Sequence, residues 1–312
     1  MIELIEEEIS KLPLGASPKS LYDPIRYIMK LGGKRLRPML TCLSYSMYKN
    51  DVEKIVKYAA GVEAFHNFTL MHDDIMDKAP LRRGKPTVHE KYNINTAILS
   101  GDVMLVKVYD MFLSLPADQL KEVLRLFNKT ASEVCEGQQL DMDFETKKKV
   151  SENEYLGMIR LKTAVLLGFS LEFGALLASA SEEDRKALYD FGVNIGIGFQ
   201  LMDDLLDVYA DQKKFGKTVG GDIVSNKKTY LLIKALESKN KELNKWLSAK
   251  KFDKRKKVAA VTKIYDSIGV RKLTEEKAEW YFDQGYKCLE GINVSGKGNL
   301  IKFAKSLAAR QK

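Results

Sequence analysis

Two short acidic motifs hold the residues of this 312-residue sequence that are best suited to chemistry. The first reads HDDIMD at residues 72–77, and the second reads DDLLD at residues 203–207. In each motif the outer aspartates are four residues apart, so a helix would place both carboxylates on one face. Like charges at this spacing destabilise a helix, and apolar flanking residues make their burial more costly. Two such motifs therefore predict that each binds something positively charged.

The chemistry of these ligands favours magnesium. Carboxylate oxygens without clustered His or Cys select Mg²⁺ over zinc or copper. Proteins usually hold Mg²⁺ through one or two carboxylates, and phosphate oxygens complete its shell. The two motifs therefore indicate a diphosphate between them. One motif alone is equally well explained as a solvated helix end, but two matched motifs weaken that alternative.

Basic residues follow each acidic motif, and a further basic segment precedes the first one. The segment GGKRLRP at residues 32–38 combines two glycines, which allow close backbone approach, with Lys34 and Arg37, which can both point at an anion. The residues after the two acidic motifs are also basic, with Arg82, Arg83, Lys217 and Lys227. This arrangement is what a phosphate-bearing substrate requires.

Composition sets the broad class. The 51 Lys and Arg exceed the 42 Asp and Glu, and a net charge of +9 attracts phosphate-bearing partners of any kind. Three scattered cysteines suit neither zinc nor a disulfide framework, which favours a reducing cytoplasm. The N-terminus lacks a signal-peptide core, and the most apolar stretch, residues 164–180, is too short and polar for a transmembrane helix. We expect a soluble cytoplasmic protein.

Apolar residues recur at three- and four-residue spacing and never alternate, which predicts an all-α fold. Ser151 and Ser181, each with an acidic residue three positions later, are expected to cap helices. Residues 78–86 and 211–226 are expected to be loops that close over ligands, and 1–312 to form one domain. Helices are predicted at 22–31, 38–48, 52–77, 88–114, 117–140, 152–178, 184–210, 227–237, 254–267, 270–290 and 297–309.

The chain resembles the trans (head-to-tail) polyprenyl diphosphate synthases, which include farnesyl and geranylgeranyl diphosphate synthases. The resemblance rests on motifs that occur in one order: GGKRLRP, HDDIMD with LRRGKPTVH, EGQQLD, the Lys-Thr pair at 162–163, FQLMDDLLD, GKTVGGD and KKT. It implies a single-domain helical bundle around a central cavity, usually a homodimer. It also implies a prenyltransferase that condenses allylic diphosphates with isopentenyl diphosphate by Mg²⁺-assisted ionisation.

The resemblance also implies a role for each matching residue. Three Mg²⁺ ions would be held by Asp73, Asp77, Asp203 and Asp207. Isopentenyl diphosphate would contact Lys34, Arg37, His66 and Arg83. The allylic diphosphate would contact Arg82, Lys162, Lys217 and Lys227. The developing carbocation would lie near Thr163 and Gln200. Gln138 and Asp141 would form the middle motif, and Phe199 would help to wall the cavity. The terminal residues Arg310 and Lys312 would fold over the isopentenyl site as a basic tail.

The residues four and five places before the first acidic motif, Thr69 and Phe68, bear on product length. Helical spacing alone places Thr69 nearer to the face of Asp73. The resemblance instead favours Phe68 as the cavity floor and predicts a twenty-carbon product, geranylgeranyl diphosphate, with farnesyl diphosphate as the alternative. Phe68 as an ordinary core residue remains open.

Three other functions compete with this interpretation. A terpene cyclase uses the same ionisation, but its second metal motif is typically built from Asn, Ser and Glu. A non-catalytic subunit of a heteromeric synthase usually lacks one of the two motifs, whereas both are present in this chain. A basic helical protein that binds nucleic acid is the third alternative. The paired acidic motifs favour the enzyme, and we expect no nucleic-acid partner.

Overall fold

The computed structural model describes residues 1–210 and 220–309, with side chains to residue 306. The first part of the chain forms helices α1 to α7, at Ile2–Ser10, Lys19–Lys30, Leu36–Ser46, Val56–Met76, Val88–Lys91, Ile94–Phe112 and Ala117–Thr146. A 3₁₀ turn at Val52–Lys54 precedes α4, and a two-stranded antiparallel hairpin, β1 at Leu81–Arg82 and β2 at Lys85–Pro86, follows it.

The rest of the described chain is also helical. Helices α8 to α16 lie at Glu152–Ile159, Val165–Leu177, Glu182–Tyr209, Gly221–Ser225, Tyr230–Glu237, Lys241–Ser248, Lys254–Ser267, Val270–Cys288 and Lys297–Ala309. A π-helical segment, Arg160–Ala164, joins α8 to α9. The predicted all-α class is confirmed. No helix in the described part of the chain is both long and apolar enough to cross a membrane.

Several predicted boundaries need correction. The helix expected at 88–114 is two helices, because Asn93 accepts a hydrogen bond from the Thr96 amide, 2.8 Å away, and starts α6 anew. The short helices α1 and α13 lack a prediction, and α11 lies in the described end of the segment 211–226 that is expected to be a loop. In α1 only Ile5 and Ile9 are buried, which is too little apolar spacing to recognise in the sequence. The loop expected at 78–86 contains the β1–β2 hairpin.

Both predicted serine caps are confirmed. Ser151 accepts from the Glu154 amide, and the Glu154 carboxylate accepts from the Ser151 amide in return, a complete capping box. Ser181 accepts from the Asp184 amide at 3.1 Å. Local side-chain chemistry therefore specifies where α8 and α10 begin.

The chain divides into two compact units. The first unit comprises Met1–Lys129, Phe169–Tyr189 and Gly291–Leu300, and its core includes an aromatic cluster around Phe127. The second comprises Thr130–Gly168, Asp190–Glu290 and Ile301–Lys312, where α12 packs against α8 and α15. The expectation that 1–312 form one domain stays a prediction.

Candidate active site

The basic turn of the first unit is anchored by an arginine to which the sequence pattern gives no role. Arg35 has a left-handed backbone (φ 46°) and a side chain that is 2% exposed. Its guanidinium donates to Glu6 of α1 at 2.8 Å and to Glu63 of α4 at 2.9 Å. Because Arg35 is turned inward and neutralised, the neighbouring cation Lys34 remains exposed to solvent.

Behind this turn, cations gather with few counter-ions. A Cβ atom on Gly33, whose φ is 141°, would lie 2.7 Å from Arg83 Nη2, so only glycine lets Arg83 rest on the turn. Burial lowers the pKa of Arg37 to about 10. Attraction to Glu63 opposes this decrease, and repulsion from Arg83 adds to it. Burial and then the charges of Arg37 and Arg83 lower the pKa of His66 well below its ordinary value.

This group, the cations Arg37 and Arg83 with the neutral imidazole of His66, is termed the first cation cluster. The Nε atom of Arg37 is buried and has no hydrogen-bond partner among the described residues. A buried donor without a partner costs about 1–3 kcal/mol. An anion with several oxygens would satisfy that donor and relieve the repulsion, so the cluster is suited to bind a diphosphate.

The first acidic motif ends α4, and its middle residue has a role different from the outer two. Asp74 is 2% exposed and accepts from Arg82 Nε at 2.8 Å and from Nη2 at 2.7 Å. Burial opposes the charge on Arg82, but the hydrogen bonds to Asp74 outweigh it and raise the pKa of Arg82. Asp73, 20% exposed, lies 3.5 Å from Arg82 Nη2, and Asp77 is exposed. The outer carboxylates are therefore the accessible pair.

The β1–β2 hairpin explains why adjacent arginines act separately. Arg83 and Gly84 both have positive φ, 54° and 73°, as a two-residue type I′ turn requires. Arg82, still on β1, reaches back to Asp74, whereas Arg83 in the turn reaches Gly33. The hairpin thus supplies one cation to each neighbouring group.

The residues expected to control product length lie one turn before this motif. The Phe68 ring is buried and packs edge-on against His72, with centroids 4.9 Å apart. His72 fits there because position 101 on α6 is glycine, where a Cβ would lie 2.3 Å from His72 Nε2. Thr69 donates its hydroxyl to the His66 carbonyl at 2.8 Å. Whether Phe68 ends a cavity or only fills the core stays a prediction.

In the second unit, a π-helical segment presents two predicted residues, Lys162 and Thr163. A Cβ on Gly137 of α7 would lie 2.2 Å from the Lys162 amide nitrogen, so glycine permits this close approach. Such π-segments are frequent at functional sites. The glycine of the EGQQLD motif therefore has a packing reason. Its Gln138 has a buried Nε2 atom without a hydrogen-bond partner in the described part of the chain.

Asp141 from the same motif brings two predicted lysines together. Its Oδ2 atom lies 2.7 Å from Lys162 Nζ and 3.5 Å from Lys227 Nζ. Burial acts against the charge on Asp141, but Lys227 and Lys162 outweigh it and lower its pKa. One carboxylate thus pairs with two ammonium groups. Both ammonium groups line the cavity, where an anionic substrate can contact them.

The second acidic motif borders a cavity of about 250 Å³ in this unit, which is also lined by Lys162, Lys227 and Asp222. Asp203 is exposed, and Asp207 accepts from the Asp222 amide at 3.0 Å. Phe199 does not line this cavity, because its ring packs against Phe282 at 5.8 Å. Three predicted residues lie outside the described residues or their side chains: Lys217, Arg310 and Lys312.

Four side chains at this cavity form a hydrogen-bonded chain. Thr163 donates to Gln200 Oε1 at 3.3 Å, and Gln200 Nε2 donates to Asp204 Oδ1 at 3.3 Å. The hydroxyl of Tyr155 donates to the other oxygen of Asp204. Burial and the charge of Asp222 raise the pKa of Asp204 to about 7. The middle residue of the second motif is therefore buried and bonded, as in the first.

Magnesium fits this set of donors. Among the described residues, no three candidate ligand side chains lie close enough to hold a metal ion by themselves. Mg²⁺ commonly takes only one or two carboxylates and completes its shell with water and phosphate. The accessible outer aspartates Asp73, Asp77 and Asp203 suit that mode of binding, and Asp207 lies beside the cavity.

Five residues of these sites are not evident from the sequence pattern: Asp74, Asp204, Tyr155, Asp222 and Arg35. The two inner aspartates carry one visible signal, because each lies between the residues of a motif whose outer members face the same side. Apart from Gln200, which is four residues before Asp204 on α10, the partners of these five residues lie far away in the sequence or on other elements, so spacing does not reveal them.

The comparisons with known proteins identify the family of this chain. Residues 18–268 match the polyprenyl synthetase family. A geranylgeranyl pyrophosphate synthase of Geoglobus acetivorans is 39% identical over 99% of this chain and 96% of its own. A short chain isoprenyl diphosphate synthase of Methanocaldococcus jannaschii is 45% identical over 79% of this chain and 75% of its own length. A crystal structure of a geranylgeranyl pyrophosphate synthase, 44% identical, superposes with a TM-score of 0.94 over 97% of this chain and 95% of that one. The chain therefore belongs to the polyprenyl synthetase family, and it is a trans-prenyltransferase, as the sequence predicted.

Proposed function

We propose that this prenyltransferase condenses allylic diphosphates with isopentenyl diphosphate and makes geranylgeranyl diphosphate, with farnesyl diphosphate as the alternative product. One observation carries the proposal: each unit places a group of cations near an accessible acidic motif. In the first unit this group is the first cation cluster, and in the second it is the lysine pair held by Asp141. Two substrates with diphosphate groups require two such sites.

The proposed binding roles follow the charges. Isopentenyl diphosphate binds Lys34 and the first cation cluster, where the buried donor of Arg37 gains a partner. The allylic diphosphate binds Lys162 and Lys227, with Lys217 as a further contact. Arg82 is a further proposed contact of the allylic diphosphate, through Nη1, because its bonds to Asp74 use Nε and Nη2.

The metal ligands are Asp73, Asp77, Asp203 and Asp207, which would hold three Mg²⁺ ions together with the allylic diphosphate. Bound Mg²⁺ neutralises the charge that develops on the departing diphosphate. The lysines bind and orient the same group. Thr163 and Gln200 present oxygen atoms to the allylic carbon as it becomes cationic. The isopentenyl double bond then attacks, and a proton passes to the released diphosphate.

The proposed product follows from Phe68, which would stop the growing chain below the first acidic motif. Its ring packs against the rings of Phe65 and His72, with centroids 5.7 Å and 4.9 Å away. A braced aromatic ring resists displacement, since protein cores are packed densely. The floor is therefore expected to stop chain growth at twenty carbons.

We also propose a homodimer in a reducing cytoplasm. Along α6 and at the residue that follows its last turn, the side chains of Leu99, Val106 and Leu113 recur at seven-residue spacing and are 58%, 56% and 60% exposed. An apolar stripe of this kind is costly in water and suits a second copy of the chain. The three cysteines are free thiols, as a reducing compartment would keep them.

The test is incubation of purified protein with Mg²⁺, labelled isopentenyl diphosphate and one primer at a time: dimethylallyl, geranyl or farnesyl diphosphate. Chromatography of the dephosphorylated products is expected to show twenty carbons from each primer. Accumulation at fifteen carbons would support the alternative product. Absence of any condensation would refute the proposed function, and cyclic hydrocarbons would favour a terpene cyclase.

A further inference from the structure

The chain of hydrogen bonds at the second-unit cavity has a defined direction. Thr163, Gln200, Asp204 and Tyr155 all line this cavity. The Thr163 hydroxyl donates to Gln200 Oε1, and Gln200 Nε2 donates to Asp204. The amide of Gln200 is therefore held at both ends, with its nitrogen toward α10 and its oxygen toward the π-helical segment.

The direction of this amide matters for a cation. A primary amide has an electron-rich oxygen and two electron-poor N–H groups, which have nearly the same shape. Rotation by half a turn would place N–H groups where the oxygen had been. The oxygen favours a neighbouring carbocation, whereas the N–H groups repel it. Whatever fixes the amide therefore determines whether Gln200 helps or hinders ionisation.

Asp204 is suited to this task because its two carboxyl oxygens accept hydrogen bonds from different side chains, Oδ1 from Gln200 and Oδ2 from Tyr155. Asp204 is four residues after Gln200 on α10 and is 4% exposed. Its second oxygen accepts from Tyr155, itself 2% exposed and held in α8. Tyr155 thus fixes the carboxylate, and the carboxylate fixes the amide.

We propose that Asp204 and Tyr155 are positioning residues, which hold the Gln200 amide with its oxygen directed at the allylic carbon during ionisation. This inference rests on the proposed function. It separates the two middle aspartates of the acidic motifs, since Asp74 positions a cation, Arg82, whereas Asp204 positions a neutral dipole. It also gives the buried phenol of Tyr155 a role in the reaction.

The test is Asp204→Asn, which keeps the shape but adds a donor, so that the amide of Gln200 can reverse. We expect kcat to fall about 10- to 100-fold, which is less than the roughly 10²- to 10³-fold loss on complete removal of one oriented group that stabilises a transition state. The Michaelis constants of both substrates and the Mg²⁺ concentration for half-maximal rate are expected to change less than about threefold. Asp143→Asn is the matched control, because Asp143 accepts from Gln139 at the same four-residue spacing but on the surface. That control should keep the wild-type rate.

A double-mutant cycle shows whether Asp204 acts through Gln200. In a Gln200→Met background, Asp204→Asn should cost less than about threefold more, because no amide remains to orient. Tyr155→Phe should show the same non-additive pattern with a smaller loss of kcat. This variant replaces Asp204→Asn in the cycle if circular dichroism shows that Asp204→Asn folds poorly. Losses that multiply in the double variant, or a raised Mg²⁺ requirement, would overturn the inference. Wild-type condensation is measured first, so failure of the proposed function shows in the wild type and overturns both.

Discussion

Two arginines of one turn, Arg35 and Arg37, are expected to respond to the same substitution in opposite ways. The change is Arg→Met at each position, which keeps a long side chain and removes the charge. Arg35 is neutralised by Glu6 and Glu63, whereas Arg37 is half-buried near Arg83 and has a buried donor without a partner among the described residues. The first arrangement is typical of a structural residue, and the second of a residue that awaits an anion.

The magnitudes follow from these surroundings. A pKa near 10 in place of 12.5 corresponds to about 3 kcal/mol of unfavourable charge burial at Arg37, since one pH unit is about 1.4 kcal/mol. Solvent screening reduces this unfavourable free energy, because the Arg37 side chain is not fully buried. Arg37→Met should therefore leave the free energy of unfolding unchanged or raise it by about 1–2 kcal/mol. Arg35→Met leaves Glu63 buried without its charged partner and should lower the free energy of unfolding by about 3–5 kcal/mol.

Two assays measure these effects. Denaturant unfolding of the free protein, at one protein concentration, gives the stabilities. Steady-state kinetics should show that Arg37→Met raises the Michaelis constant for isopentenyl diphosphate by about 10- to 100-fold, because a charged hydrogen bond contributes about 1.5–3 kcal/mol. The allylic Michaelis constant should change little. Arg37→Met that destabilises the protein by more than about 1 kcal/mol with unchanged isopentenyl binding would refute this reasoning.

Four further outcomes are expected. Asp73→Ala and Asp203→Ala should each lower turnover on the order of 10²- to 10³-fold with the circular dichroism spectrum retained, and near-normal turnover would contradict the metal assignment. Lys227→Ala should raise the allylic Michaelis constant about 10- to 100-fold with little effect on isopentenyl diphosphate, and equal effects on both would argue against two separate sites. Phe68→Ala should shift chromatographed products to longer chains, and an unchanged distribution would place the floor elsewhere. Inorganic diphosphate should raise the depressed pKa of His66, because added negative charge favours the imidazolium, and NMR titration of the ring protons would detect a failure to shift.

Much of the fold is predictable because helix periodicity and capping are local. The long helices α7 and α10 are amphipathic over many turns, and Ser151 and Ser181 start their helices through contacts only three residues away. Short helices escape prediction for the same reason. In α1 only two residues are buried, so tertiary packing stabilises a segment whose own periodicity is weak.

The chemistry is readable from the amino-acid order alone, because two DDxxD motifs with basic neighbours predict Mg²⁺ and diphosphate wherever the chain places them. The family is readable in the same way, and the comparisons confirm it. Which member of each group is buried and which is exposed emerges only from the folded chain. Asp74 and Asp204 are turned inward to partners, and Arg35 is neutralised while Arg37 is not. The physical reason is that burial and pairing depend on residues distant in the chain, such as Glu63 for Arg35 and Tyr155 for Asp204, and no local spacing encodes them.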